Sequence, residues 1–134
     1  MKFISVTSVV LVVAGSANAA SLAENDATFI CAVVDLASCG PGEGCTRETS
    51  ESINAPQLLT VDRKGHAITA QRPDGAVLSS NIDRVTQEQD LLVFDGVQNG
   101  LSWTMTIAGA SGHMTLSAIG DSEAYTVFGS CELK

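Results

Sequence analysis

The cysteines constrain this chain most. Cys131 ends the run Ala124–Cys131, which reads Ala-Tyr-Thr-Val-Phe-Gly-Ser-Cys, and Cys31 stands inside a similar run, Thr28–Asp35. Both runs are rich in the β-branched and aromatic residues that suit a pleated sheet. Cys39 and Cys45 lie close together in a glycine-rich segment that lets the chain fold back. Four cysteines allow three pairings. The most economical joins Cys39 to Cys45 and leaves Cys31 for Cys131, while the other two stay open on sequence alone. A Cys31–Cys131 bond would make the first and last strands neighbours, and the strands between them would form a closed or nearly closed sheet. In the chain-entropy picture, a loop of about 100 residues contributes about 4 to 5 kcal/mol. Metal ligation would want Cys-x₂₋₄-Cys spacings with further Cys or His, and a redox pair would want Cys-x-x-Cys. Neither spacing occurs, so the cysteines read as structural disulfides.

Disulfides require an oxidising compartment, and the N-terminus agrees. Lys2 is followed by an apolar run, Phe3–Ala14, and then by Ala17-Asn18-Ala19. That is the order of a signal peptide: a positive start, an apolar stretch too short to span a bilayer, and small residues at the cleavage site. Cleavage after Ala19 is expected. It leaves a single domain from Ala20 to the end, in the periplasm or secreted. Ala20 is not cysteine, so no lipid anchor is expected, and no later apolar run approaches the ~18 residues of a membrane span, so no membrane anchor is expected after cleavage. Of seven basic residues Lys2 leaves with the leader, so six face fifteen acidic ones, 6 − 15 = −9. An acidic body lacks the clustered Lys and Arg that nucleic acid requires, and its charge favours a soluble monomer.

Past the polar segment 20–27, the chain alternates short β-type runs with turn signals. Strands are expected at Thr28–Asp35, Gln57–Asp62, Ala67–Arg72, Ala76–Ile82, Leu91–Asp95, Leu101–Ala108, His113–Ile119 and Ala124–Ser130. In the first of these, Phe29, Cys31 and Val33 are expected on one face. Arg63-Lys64-Gly65 reads as a hairpin turn with Gly65 at the position of positive φ, and Pro73-Asp74-Gly75 as a second turn. Gly96 opens a turn that ends in Asn99-Gly100, a favoured type I′ dipeptide. Thr86–Asp90 reads as a polar connector. Ala37–Gln57 shows no strand pattern, is pinned by Cys39 and Cys45, and has room for one helical turn. No long segment has a helical apolar period. The fold class is therefore all-β: an up-and-down meander of about eight strands, closed as a lipocalin-like barrel or packed as a sandwich, with two disulfides.

Catalytic signals are sparse. His66 and His113 have no neighbouring ligand at metal spacing, and no Gly-x-Ser-x-Gly elbow or phosphate-binding glycine motif occurs. The many aspartates fall at strand ends and turns, where they cap the chain. Trp103 alternates with Leu101, Met105 and Ile107, which favours a core role over a ligand platform. Tyr125 needs a hydroxyl partner if buried. With 4% aromatic residues, a deep cavity lined by rings is not expected. Two loop regions are candidate binding surfaces: the Cys39–Cys45 segment and its continuation, with Glu43 and Arg47, and the basic turn of Arg63, Lys64 and His66.

In size, export signal and strand pattern the chain is similar to small periplasmic barrel proteins, among them inhibitors of lysozyme or secreted proteases. Fold alone does not carry function. The expected function is non-catalytic binding of a protein partner, as in an inhibitor of an extracytoplasmic enzyme. The alternative is a barrel carrier of a small ligand, and an enzyme ranks below both. No cofactor is expected.

Overall fold

The computed structural model describes residues 28–134. The leader read over residues 1–19 and the polar segment 20–27 lie outside the described residues. Among those described there are ten strands and no helix. They are β1 (Thr28–Gly40), β2 (Gly44–Glu48), β3 (Leu58–Asp62), β4 (Ala67–Gln71), β5 (Val77–Asn81), β6 (Arg84–Glu88), β7 (Leu91–Gln98), β8 (Leu101–Ala108), β9 (His113–Gly120) and β10 (Glu123–Leu133). All pair antiparallel, in the order β5-β4-β3-β1-β10-β9-β8-β7-β6, with β2 added beside β1. The sheet curls on itself into a half-barrel.

The first strand is the longest and organises the rest. Its first half pairs with β3, from Thr28 opposite Asp62 to Ala32 opposite Leu58. Its second half pairs with β2 on that same side. Along its other side runs β10, which places the first and last strands together as the cysteine pattern predicts. A bulge between Val33 and Asp35 shifts the register, leaving Val34 extra and exposed. Such an insertion moves the inward set from odd to even positions. Phe29 and Cys31 therefore face the core before the bulge and Leu36 after it, while Val33 sits at the irregularity.

Both disulfides follow the economical pairing. Cys31 is bonded to Cys131 across a sequence separation of 100, and Cys39 to Cys45 across 6. Each pair sits directly opposite in a ladder, with Cα atoms 4.0 Å apart. The Cys131 N–H donates instead to Gly112 O on the far side. The Cys31–Cys131 step is thus the narrow, non-hydrogen-bonded kind, where side chains approach most closely. Two such bonds are typical of proteins outside the cytoplasm.

Two segments differ from the sequence reading. The stretch from Ala37 carries a hairpin, because Ala37–Gly40 continues β1 and Gly44–Glu48 forms β2. Dense Gly and Pro are tolerated there because β2 is a pure edge strand and the glycines occupy the tip. Residues 49–57 form turns with no helix. The polar connector Thr86–Asp90 belongs mostly to β6, whose Arg84–Glu88 pairs with Asp95–Leu91. Its polarity reflects an edge that meets solvent.

The seam of the half-barrel explains why β5 and β6 are adjacent in sequence yet stand at opposite ends of the strand order. They are two halves of one bent segment. The N–H of Ile82 donates to His66 O on the β4 side, and the next N–H, of Asp83, donates to Asp95 O on the β7 side. Successive amides in a strand point to opposite sides, so one step of chain stitches the two ends of the sheet. Above this stitch, Gln98 Nε2 donates to Ser79 O at 3.2 Å. Gly96 lies in β7 and not in the turn that follows. A Cβ there would stand 2.6 Å from Asn81 O and closer still to the Trp103 ring. Only glycine lets the crossing segment approach so closely. The turn itself is as expected, with Asn99 and Gly100 both at positive φ (49° and 79°). At the β3–β4 turn the positive φ belongs to His66 (53°), and Gly65 is instead packed against the Asp62 carboxylate.

The core fills one end of the half-barrel. Phe29, Cys31, Val61, Ile82, Leu92, Phe94, Met105, Ile107, Met114 and Cys131 are buried together there. The rings of Phe29 and Phe94 lie tilted at 52° with centroids 6.1 Å apart, an arrangement aromatic pairs favour.

Candidate functional site: an apolar cavity at the mouth of the half-barrel

Moving along the inner face away from the core, the side chains become smaller. The inward positions are Leu59 on β3, Ile68 and Ala70 on β4, Leu78 and Ser80 on β5, Leu101 and Trp103 on β8, and Leu116 and Ala118 on β9. Together they leave a cavity of about 250 Å³. Two small residues in the lining, Ala70 and Ala118, leave space where Phe and Met fill the other end. Pro56, Arg72, Gln98 and Asn99 form the rim.

Trp103 separates core from cavity. It is buried with the core cluster, the role its sequence position favours, and its ring also lines the cavity. Its indole N–H donates to Ser80 Oγ at 2.9 Å, across the half-barrel. Ser80 is itself buried, so this bond satisfies both groups.

The rim is cross-braced. Asn54 Nδ2 donates to Asp74 Oδ2 at 2.9 Å, tying the loop that carries Pro56 to the turn after Arg72. Asp74 also accepts from its own turn, at the Ala76 N–H. The Ala76 bond, then the Asn54 bond, hold the Asp74 carboxyl below its ordinary value. Asp95, on β7, is likewise lowered, chiefly by the Thr104 hydroxyl at 2.7 Å and then by Arg84. Tyr125 donates to Glu123 Oε2 at 3.0 Å, which raises its pKa.

These two aspartates set a pH dependence. A carboxylate with a lowered folded-state pKa stabilises the fold above its unfolded value, near 3.8, and loses that contribution as pH falls through the folded value. Thermal stability is therefore expected to fall below about pH 4. Asp95→Asn should flatten that acid limb and leave the Tm difference between pH 6 and pH 8 unchanged. An acid limb identical in both proteins would remove Asp95 from the account.

The loop residues singled out by sequence do not converge. Arg63, Lys64 and His66 sit at the turn beside the start of β1, whereas Glu43 and Arg47 sit on the hairpin at its end. Ala37, the ladder partner of Arg47, lies nine residues along β1 from Thr28, roughly 30 Å of extended chain, and Glu43 lies farther along at the hairpin tip. Arg47 is paired with Asp35 at 2.8 Å, and Arg63 Nη2 donates to Gln87 Oε1 at 3.3 Å. Lys64, His66 and Glu43 are exposed. Neither His66 nor His113 lines the mouth cavity, the groove beside Leu58, Thr69 and Val77, or the groove beside Val34, Arg47 and Ser50. One outer groove, beside Leu58, Thr69 and Val77, is larger at about 670 Å³. It lies on the outer face with a more polar lining, so the apolar cavity of the inner face is the better candidate for a small molecule.

No family model, no curated protein and no solved structure matches this chain.

Proposed function

We propose that this is an exported, non-catalytic binding protein, periplasmic or secreted, that holds a small apolar group in the mouth of the half-barrel. The observation that carries the reading is the cavity of about 250 Å³ with aliphatic walls and Trp103 as its floor. A dry apolar cavity of about 150 Å³ suffices to bind benzene, so this one has room for a medium-length alkyl chain or a small ring system. The barrel-carrier alternative thus gains over recognition through the loops, whose candidate residues lie at opposite ends of β1.

Trp103, the only tryptophan, reports directly on occupancy. In a series of n-alcohols from butanol to decanol, its emission should change saturably. Each added CH₂ buried contributes about 0.8 kcal/mol, or about fourfold in affinity. The gain should stop once the chain outgrows the cavity. Ala118→Phe, or the milder Ala70→Leu, fills the space and should abolish the response while leaving the far-ultraviolet spectrum of the sheet intact. A response that never saturates, or that survives both substitutions, would refute the cavity as a site.

A second reading keeps the protein-binding or inhibitor role. It rests on the β1–β2 hairpin, whose exposed tip with Glu43 is held rigid by Cys39–Cys45. A loop fixed in advance loses little entropy on docking. Pull-down from an envelope extract that yields nothing above background would count against it.

A further inference from the structure

The rim says what kind of small molecule the cavity takes. Walls of Leu59, Ile68, Leu78, Leu101 and Leu116 offer nothing to a polar group. Ser80, the one polar residue among the wall and floor residues, accepts the Trp103 N–H, so a single neutral hydroxyl hydrogen is all the interior offers and no charged partner lies there. A polar headgroup therefore has to stay at the rim. Of the rim side chains, Gln98 donates to Ser79 O across the seam, and Asn99 is neutral. Arg72 alone carries charge.

The state of Arg72 makes that charge available. The other described arginines have side-chain partners: Arg47 with Asp35, Arg84 with Asp95, and Arg63 with Gln87. The guanidinium of Arg72 has no hydrogen-bond or ion-pair partner among the described residues. Asp74 feels the charge of Arg72, but its carboxylate is engaged by the Ala76 N–H and the Asn54 amide. Arg72 is half-buried as a residue, and a guanidinium with its donors unengaged at the edge of an apolar cavity suits a planar oxyanion. The protein's overall negative charge opposes this little, because charges more than about 10 Å away are screened at ordinary ionic strength.

We propose that the cavity ligand is a small amphiphilic monoanion, with an apolar body inside the half-barrel and a carboxylate held at the rim by Arg72. This rests on the cavity reading above and adds the headgroup to it. Octanoate, 1-octanol and octylammonium share a chain and differ in headgroup, so they separate the two claims. By Trp103 emission, with calorimetry as a second readout, octanoate should bind about tenfold tighter than octanol, and octylammonium more weakly than either. Arg72→Gln should bring octanoate down to the level of octanol and leave octanol unchanged, whereas Arg72→Lys should keep part of the preference. Rising salt should erode the preference for octanoate and not octanol binding.

Equal binding of octanoate and octanol, indifferent to Arg72→Gln, would overturn the headgroup assignment and leave the cavity standing. Failure of all three to bind would overturn both. Arg72 also borders the outer groove, so octanoate binding that survives Ala118→Phe would place the anion outside the half-barrel and overturn the proposal as well.

Discussion

Replacing Cys31 and Cys131 together with alanine is expected to lower the unfolding free energy by about 4 to 5 kcal/mol. The same change at Cys39 and Cys45 should cost about 2 kcal/mol. The contrast comes from loop length. One bond closes a loop of 100 residues, and the other closes a hairpin of 6 whose ends the ladder already holds. The long-range pair also stands at the buried end of the half-barrel, where Cys31 is fully inaccessible and Cys131 nearly so. Its loss removes core volume as well as a constraint. For a domain with a total stability of about 5 to 15 kcal/mol, the long-range change approaches unfolding, and the hairpin change does not. Urea denaturation at matched slope measures both. If removing the hairpin bond cost as much as removing the long-range bond, loop closure would not be the source of the stabilisation.

The way the sheet is assembled explains why the fold was legible before the structure. Strand β8 matches its expected bounds to the residue, because Leu101, Trp103, Met105 and Ile107 alternate strictly with polar neighbours. Register there is set by burial on one face. The elements that were missed lack that signal for a physical reason. Strand β2 has only one neighbour, and β6 exposes four of its five residues, so neither carries an alternating apolar face. The bend at Ile82 and Asp83 was likewise invisible. It depends on which strands the curled sheet brings to each side, and no local pattern encodes that.

The cavity was the least legible feature. Its signal is a small residue where another stave also has one, and that coincidence exists only after register is known. Ala70 and Ala118 are ordinary strand residues in sequence. In the fold they line the same cavity, with Leu78 and Leu101 among its other wall residues. At the other end the inward positions carry Phe29, Leu92, Phe94 and Met105. Side-chain size along each inner face would have pointed toward the mouth once the eight expected strands were aligned as a meander. The low aromatic content was a sound guide to the lining, which has one ring. It said nothing against an aliphatic cavity.

Trp103→Ala is expected to cost about 3 to 5 kcal/mol, comparable to the loss of the long-range disulfide, and to abolish cavity binding. Three contacts are lost together. The indole fills the boundary between core and cavity, lies against Gly96 at the seam, and donates across the half-barrel to Ser80. Strands β5 and β8 are far apart in the sheet order, so this bond links parts of the sheet that the ladders do not. A double-mutant cycle isolates it. Ser80→Ala leaves a buried indole N–H without an acceptor and should cost about 1 to 3 kcal/mol. Trp103→Phe keeps an aromatic ring but leaves the buried Ser80 hydroxyl without the indole donor. If the bond clamps the seam, the double variant should be less destabilised than the sum of the singles, by about 1 kcal/mol or more. Strict additivity would mean that Trp103 acts by volume alone. In that case Ser80→Ala should leave alcohol affinity unchanged, whereas a clamp that shapes the cavity predicts that affinity and stability fall together.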